Sequence, residues 1–340
     1  MQHTLRGLLA LTLLACGGGH EGTVPSGIEP PSDGVAAFTV APVDLSRIAI
    51  ITPLGSLNPP GHTLPTDHVY LYQWNFDTNA GPRPTDMLPV VAPATGRVRF
   101  IMQEDGGDAK VTLICTEDFE YYLDHLVSIP GLAVGQVIRA GEPIGTTPPG
   151  ATLDLGATDR RVSHAGFLNP ARYPEPTLHY VSPWQYFVEP LKSQILARLR
   201  RHPAATDREG RIDFGVRGTL AGDWYEASLP ADQTSAGRTG WPRSMAFVQD
   251  YYDPRLVRIS IGGTIAPAGV WGIPEGMPHP STVTMASGVV AYPLMYLRGD
   301  TQYGILLAQL ITEDRMKVQV FVGRQGTQAT FDAGAYTYVR

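Results

Sequence analysis

The sequence has 340 residues, of which 43% are hydrophobic and 17% charged, and its net charge is −6. A chain of this length suits one large or two medium domains, and it has enough apolar residues for a folded core. The mild negative charge argues against nucleic acid as a partner. Glycine and proline are frequent, with 37 and 30 residues, which favours a fold of many short strands and turns.

The first sixteen residues have the pattern of a secretory signal. One cationic residue, Arg6, precedes an apolar run over 7–15, and small residues surround Cys16. Leu13-Leu14-Ala15-Cys16 resembles the lipobox of bacterial lipoproteins, whose cysteine is acylated. The apolar run is too short to span a bilayer core of about 30 Å. We therefore predict a lipid anchor on Cys16 that holds the protein to a membrane of the bacterial cell envelope, on its periplasmic or extracellular face; a plain signal peptide is the alternative.

Residues 17–35 are rich in glycine, proline, serine and glutamate and predict a flexible tether. From residue 36 onward, short apolar or alternating runs separated by turn residues predict a mostly β protein. The predicted strands lie at 48–51, 68–74, 88–101 (as strand, turn and strand), 110–115, 119–127, 256–261, 282–292, 304–312, 316–322 and 335–339.

One helix is predicted over 191–201, with Pro190 at its start and a shared apolar face that includes Leu191 and Ile195. Its arginines, Arg200 and Arg201 among them, are expected on the solvated side. The polar run 201–210 predicts a linker, so we expect one domain at 36–200 and a second at 208–340.

If Cys16 is lipidated, Cys115 has no partner for a disulfide within the chain. Cys115 ends the apolar run Val111-Thr112-Leu113-Ile114-Cys115 and is predicted to be a buried core residue.

The first domain resembles the lysostaphin/LytM-type zinc endopeptidases, which cut peptidoglycan cross-bridges and share the duplicated hybrid motif fold. Four stretches carry the resemblance, in the order and with the spacing of the family. They are Pro89 to Val98 ("P-V-x-A-x-x-x-G-x-V"), Tyr121 to Leu126 ("Y-x-x-H-L"), Val134 to Gly145 ("V-x-x-G-x-x-V-x-x-G-x-x-I-G") and Thr152 to Gly156, which falls where the family has "H-L-H-F". The resemblance implies a β domain with a zinc-peptidase type of cleft.

The family binds zinc through a His-x-x-x-Asp pair and the second histidine of His-x-His. Its catalytic pair is the first histidine of that motif and the histidine of "Y-x-x-H-L". The resemblance therefore implies His62, Asp67 and Asp154 as metal ligands and His125 as a catalytic residue. The match is incomplete, because His62 and Asp67 are five residues apart and Thr152 takes the place of the catalytic histidine. A threonine cannot serve as a general acid or base near neutral pH.

His68 follows Asp67 directly, and strand alternation predicts that it points to the opposite face and does not join Asp67. Two interpretations of the cluster stay open. One is a metal site with an altered ligand set. The other is a hydrogen-bonded arrangement in which a half-buried His125 pairs with Asp67 or Asp154. Either one leaves a polar cluster on one sheet face. The residues that could line a cleft there are Tyr70, Tyr72, Trp74, Tyr121, Tyr122 and Thr152.

The second domain opens with the segment Gly218 to Glu226, whose Gly222-Asp223-Trp224 loosely resembles the Gly-x-Trp strand of lipocalin-like barrels. The alternation of Met316 to Phe321 is typical of a half-buried strand. We predict an antiparallel barrel-like β domain, which either carries a ligand or is purely structural.

These patterns together predict an exported lipoprotein whose peptidase-like domain does not cleave peptidoglycan. It would bind an envelope ligand, either peptidoglycan or an envelope protein. No cofactor is expected, although the site leaves room for zinc. One alternative is an active zinc hydrolase with an altered ligand set. Another is a carrier of a small apolar ligand in the second domain.

Overall fold

The structure is a computed structural model that describes residues 27–78, 83–104, 106–127, 131–234 and 237–340. The predicted lipidation residue, Cys16, and the tether up to residue 26 lie outside the described residues. No helix in the described ranges combines the length and the apolar character needed to cross a membrane.

An antiparallel sheet of eight strands forms the first half of the protein. Its strands run in the order β1-β2-β9-β6-β5-β4-β7, with β10 paired to β9, and β3 and β8 form a separate pair. The bounds are β1 Ile50–Thr52, β2 His68–Tyr72, β3 Pro89–Val91, β4 Gly96–Gln103, β5 Ala109–Ile114, β6 Phe119–Leu126, β7 Val137–Ile138, β8 Pro143–Thr146, β9 Leu153–Asp159 and β10 Tyr180–Val181.

Alternation along the central strands determines which face of this sheet holds the core. Leu123 of β6 and Leu155 of β9 are fully buried in one apolar cluster. Asp154 therefore lies on the opposite face from Leu155. Cys115 belongs to the same core cluster and is buried as a free cysteine, as predicted; its burial raises the pKa of its thiol to about 12.

The second half is a closed antiparallel barrel, so the prediction of a mostly β protein with a β domain followed by a barrel is confirmed. Trp224 is buried inside it, donates from Nε1 to the Leu220 carbonyl at 2.9 Å, and carries the Arg340 guanidinium 4.1 Å above its ring. The strands are β11 Gly222–Glu226, β12 Ser244–Gln249, β13 Val257–Ile261, β14 Gly269–Gly272, β15 Val290–Met295, β16 Gln302–Thr312, β17 Arg315–Val322 and β18 Tyr336–Val339.

Two predicted elements are shorter than expected. Helix α1 covers Leu191–Leu196 only, because the backbone of 198–200 pairs with the edge strand β1: Ile51 N–H donates to the Arg198 carbonyl at 3.0 Å. The strand predicted at 282–292 begins at Val290, because 3-10 turns occupy Pro280–Thr282 and Met285–Ser287. A second helix, α2, covers Gly237–Gly240.

The polar run 201–210 lies against both halves. Arg201 is buried, and its guanidinium donates to the Tyr251 carbonyl at 2.5 Å, so its expected position on a solvated helix face is wrong. The His202 N–H donates to the Tyr252 carbonyl at 2.8 Å, while the Leu54 N–H donates to the Glu209 carbonyl at 3.2 Å. These bonds bring the barrel up against the loop that precedes β2.

Candidate metal centre

His68 opens β2 and is a central residue of the site. Its Nδ1 lies 2.8 Å from Asp67 Oδ1, so the prediction that His68 cannot join Asp67 is wrong. The physical reason is that Asp67 sits in the bend before the strand, where side chains do not alternate between sheet faces. Tyr122 donates its hydroxyl to the same Asp67 oxygen at 3.0 Å.

Asp154 of β9 lies between two imidazoles. Its Oδ2 is 3.3 Å from His68 Nε2 and 3.4 Å from His125 Nε2, and its side chain is 1% exposed. These are ion-pair distances, but neither Asp154 oxygen nor His68 Nε2 has a hydrogen bond of acceptable geometry in the described protein. A buried carboxylate in these surroundings is costly unless a positive charge, either an imidazolium or a bound cation, balances it.

His125 is presented to the site by an unusual backbone conformation. Its φ is 61°, in the left-handed region that non-glycine residues seldom adopt, and it lies near the end of β6. Its Nδ1 lies 2.6 Å from Asp108 Oδ2, and this leaves Nε2 facing Asp154. Strained residues of this kind persist where the surrounding structure holds them and are concentrated at functional sites.

His62 lies in the loop before β2, closed by paired backbone hydrogen bonds between Asn58 and His62 at 2.9 Å. Its ring centroid is 5.2 Å from that of His68, and its Nε2 is buried with no hydrogen-bond partner. Burial and the neighbouring His68 lower the pKa of His62 to about 4. His62 is therefore a neutral imidazole, the form that binds metals.

The cluster forms a row of alternating acid and imidazole groups. Burial would lower the pKa of His68, but the contacts with Asp154 and Asp67 outweigh it and raise that pKa to about 10. Burial would raise the pKa of Asp154, yet His125 and His68 hold it well below its usual range. The His125 hydrogen bond likewise lowers the pKa of Asp108. A metal bound at His68 must first displace a tightly held proton.

The types of donor group suit a divalent metal such as zinc. Two imidazoles and one carboxylate are a common zinc ligand set. The Nδ1 atoms of His68 and His125 are each held by a carboxylate, and such a contact commonly fixes the orientation of a metal-binding histidine. Three buried donor groups, those of His62, His68 and Asp154, have atoms without hydrogen-bond partners.

A second group of ligands adjoins this cluster. Within the described ranges, Glu104, Asp124 and His125 are the one set of three whose donor atoms all lie within 4.8 Å of one another. The donors of His62, His68 and Asp154 are spaced more widely. Burial and the carboxylate of Asp124 raise the pKa of Glu104 to about 7, and Asp124 accepts the His125 N–H at 2.7 Å.

The predicted cleft residues are distributed around the cluster. Tyr70 lies beside His68, with ring centroids 4.8 Å apart, and Tyr72 and Trp74 extend the row outward, their centroids 5.3 Å apart. Thr152 is half-buried just before β9. Tyr121 points the other way and donates to the Ala94 carbonyl in the core, so it does not line the cleft.

The structure thus brings His62, Asp67, His125 and Asp154 together, and it adds residues that the sequence patterns did not single out. These are His68, which strand alternation predicts on the opposite face, and Asp108, which precedes β5. The pairing of β5 with β6 brings Asp108 to His125, a long-range contact with no local signal in the sequence.

No family model matches this sequence, and no curated protein matches it either. Several solved structures do. A zinc-containing peptidase from Vibrio cholerae shares 20% identity over 36% of this chain and 37% of its own, with a TM-score of 0.28. LytU shares 18% over 34% and 76%, with a TM-score of 0.24, and lysostaphin shares 11% over 81% and 80%, with a TM-score of 0.24.

The first of these structures is a peptidase, and this chain spans little more than a third of its length. TM-scores below 0.5 do not establish a shared fold or activity. Any function is therefore inferred from the site residues of this chain.

Proposed function

We propose that this protein is a metal-binding, peptidase-like protein of the bacterial cell envelope that binds peptidoglycan without cleaving it. The observation that carries the proposal is that His62, His68 and Asp154 lie in one cluster and have buried donor atoms without hydrogen-bond partners. A row of carboxylates on the far side of the imidazoles supports the same interpretation.

His62, His68 and Asp154 would hold the metal, and zinc suits two imidazoles and a carboxylate. The family that the sequence resembles uses one aspartate and two histidines, with the aspartate in the loop before the strand and a histidine on the last strand. This chain has the same ligand types in exchanged places: His68 beside the loop aspartate, and Asp154 on β9. Asp67 then acts as the support of His68 rather than as a ligand. When bound, zinc polarises a carbonyl oxygen and acidifies a water molecule.

The chain's own residues favour binding over cleavage. His125, held by Asp108, is one imidazole next to the proposed ligands, and it can exchange a proton at Nε2. The second catalytic imidazole that the resemblance implies is replaced by Thr152, which cannot act as an acid or base near neutral pH. Loss of one such group typically slows a reaction by 10²- to 10⁴-fold.

The expected ligand is the peptide part of peptidoglycan, presented to the cleft beside Tyr70, Tyr72 and Trp74. Tyr70 is buried beside His68, whereas Tyr72 and Trp74 are half-buried and offer aromatic surface that suits both peptide and sugar groups. The predicted anchor on Cys16 would keep the site next to the cell wall. This ligand is the one that the family resemblance implies.

The test uses the soluble chain from residue 17 onward at pH 8. Stoichiometric zinc is expected by elemental analysis, and His62→Ala and Asp154→Ala should each remove it. His279→Ala removes an exposed barrel histidine and is the matched control. An unmetallated wild-type protein, or full zinc in both site variants, would overturn the metal site.

The zinc-loaded protein is then incubated with cross-linked peptidoglycan. We expect it to co-sediment with the polymer and to release no new amino termini. New termini that disappear with chelator or with His125→Ala would show that the protein is an active hydrolase and not a non-catalytic binder. Absence of co-sedimentation would overturn the peptidoglycan ligand.

A further inference from the structure

The loop that carries His62 contacts the barrel as well as its own sheet. Thr63, which is 1% exposed, shares its hydroxyl hydrogen between the Pro60 carbonyl at 3.0 Å and the Trp241 carbonyl at 2.9 Å. The Trp241 ring passes close to Gly61, where an added Cβ would lie 3.9 Å from Cζ3. Trp241 belongs to the second half of the chain, 179 residues after His62.

The Trp241 segment is in turn held by the barrel. The Pro242 carbonyl accepts from both the N–H of Thr264 at 3.0 Å and its hydroxyl at 2.9 Å. Ser244 donates to the Gly240 carbonyl at 3.0 Å. A Cβ at Gly262 would lie 2.1 Å from the Trp241 carbonyl oxygen, so the backbones are in direct contact. The tryptophan is therefore placed by the barrel and not by the sheet beneath His62.

Three rings surround the His62 imidazole. The centroids of His68, Tyr70 and Trp241 are 5.2, 6.3 and 6.4 Å away, and the Trp241 plane is inclined by 31° to the imidazole. Two of these rings come from β2, and the third comes from the barrel. His62 Nε2 has no hydrogen-bond partner, so the rings packed around the imidazole help to set its orientation.

We propose that Trp241 is a positioning residue of the metal centre, so that the barrel holds His62 in place and tightens metal binding in the first half. This inference rests on the proposed metal site. Its physical basis is preorganisation: a ligand already held in its bound orientation loses less conformational freedom on binding. Supporting residues outside the ligand set typically change metal affinity by 10- to 100-fold. The barrel thereby acquires a role in the site itself.

The experiment compares zinc affinities of the full soluble chain by competition with a chromophoric chelator. Trp241→Ala should weaken zinc binding by about tenfold or more, whereas Trp241→Phe, which keeps a ring, should stay within a few-fold of wild type. Thr63→Val removes the hydroxyl bridge and should weaken binding in the same direction. Trp271→Phe, in the barrel and stacked on Tyr303, is the matched control and should leave affinity unchanged.

A second readout follows the tryptophan directly. Cu²⁺ in the site should quench the emission of the nearby Trp241, and Trp241→Phe should lose most of that quenching while Trp271→Phe retains it. If His62→Ala abolishes binding but Trp241→Ala and Thr63→Val bind as wild type, the inference is overturned and the metal site stands. If wild type binds no metal, both are overturned. If Trp241→Ala misfolds, Thr63→Val and the quenching experiment still test the inference.

Discussion

Asp154 and His68 lie on neighbouring strands, with the carboxylate Oδ2 3.3 Å from the imidazole Nε2, and both are buried. The same oxygen is 3.4 Å from His125 Nε2. This one carboxylate therefore links the two histidines, which the chain supplies from strands β2 and β6. The arrangement has consequences for the metal-free protein as well as for metal binding.

Replacing Asp154 with Ala should destabilise the metal-free protein by up to about 3–5 kcal/mol, because the buried His68 imidazolium loses one of its two carboxylate partners and keeps Asp67. Urea denaturation in the presence of chelator measures the loss as a lower midpoint. Asp300→Ala, on an exposed barrel turn, serves as the control. An unchanged midpoint for Asp154→Ala would show that the pair adds nothing to stability.

Thr152→His should introduce peptidoglycan cleavage in the zinc-loaded protein. The substitution restores the imidazole that the family resemblance implies at this position, and a general acid or base typically contributes 10²- to 10⁴-fold. Release of new amino termini is the measurement. The double variant Thr152→His with His125→Ala should be inactive. If Thr152→His binds zinc and releases no new amino termini, the missing histidine is not what prevents cleavage.

Asp223 lines a small cavity between the two halves with Tyr173 and Arg340. Burial raises the pKa of its carboxyl to about 7, although the Tyr173 hydroxyl donates to it at 2.9 Å. The folded protein thus holds this proton more tightly than the unfolded chain. The contribution of Asp223 to stability is greatest below about pH 4 and declines as the pH rises toward 7.

Asp223→Asn should therefore stabilise the protein relative to wild type at pH 8, with a smaller gain at pH 5. The difference can change by at most about 1.4 kcal/mol per pH unit. Thermal unfolding of both proteins across this range measures it, and Asp300→Asn controls for loss of an exposed charge. A gain that is equal at both pH values would contradict the assignment.

Cys16→Ala should release the protein from membranes or block its processing, because the lipobox-like sequence Leu13 to Cys16 predicts acylation there. Fractionation of cells followed by immunodetection tests this. Cys115→Ala is the matched control, since that cysteine is buried in the core. Full retention of processed Cys16→Ala in the membrane fraction would refute the anchor.

The fragment 208–340 should fold by itself and melt cooperatively. All eight barrel strands lie within it, and the barrel's buried apolar cluster is separate from that of the first half. Circular dichroism of the isolated fragment measures its melting. The complementary fragment 36–200 should fold but bind zinc more weakly than the full chain, because it lacks Trp241. A barrel fragment without a cooperative transition would place the boundary elsewhere.

Local patterns in the sequence were sufficient to predict the mostly β fold, most strand positions and the burial of Cys115. Alternation of side chains is a property of a few successive residues, so it can be recognised from a short segment alone. The family resemblance rested on motifs of the same short range. It pointed to His62, Asp67, His125 and Asp154, which the structure brings to one place.

The partners of these residues were decided by tertiary structure. Asp67 and His68 face each other because the strand begins one residue after the aspartate, which alternation alone could not reveal. Asp108 reaches His125 through the pairing of two strands, and Trp241 reaches the His62 loop from the other half of the chain. Contacts between distant segments depend on how sheets and barrel pack together, and no periodicity in the sequence encodes that packing. That packing alone produces the charge balance of the cluster. It also produces the unpartnered donor atoms that suggest a metal.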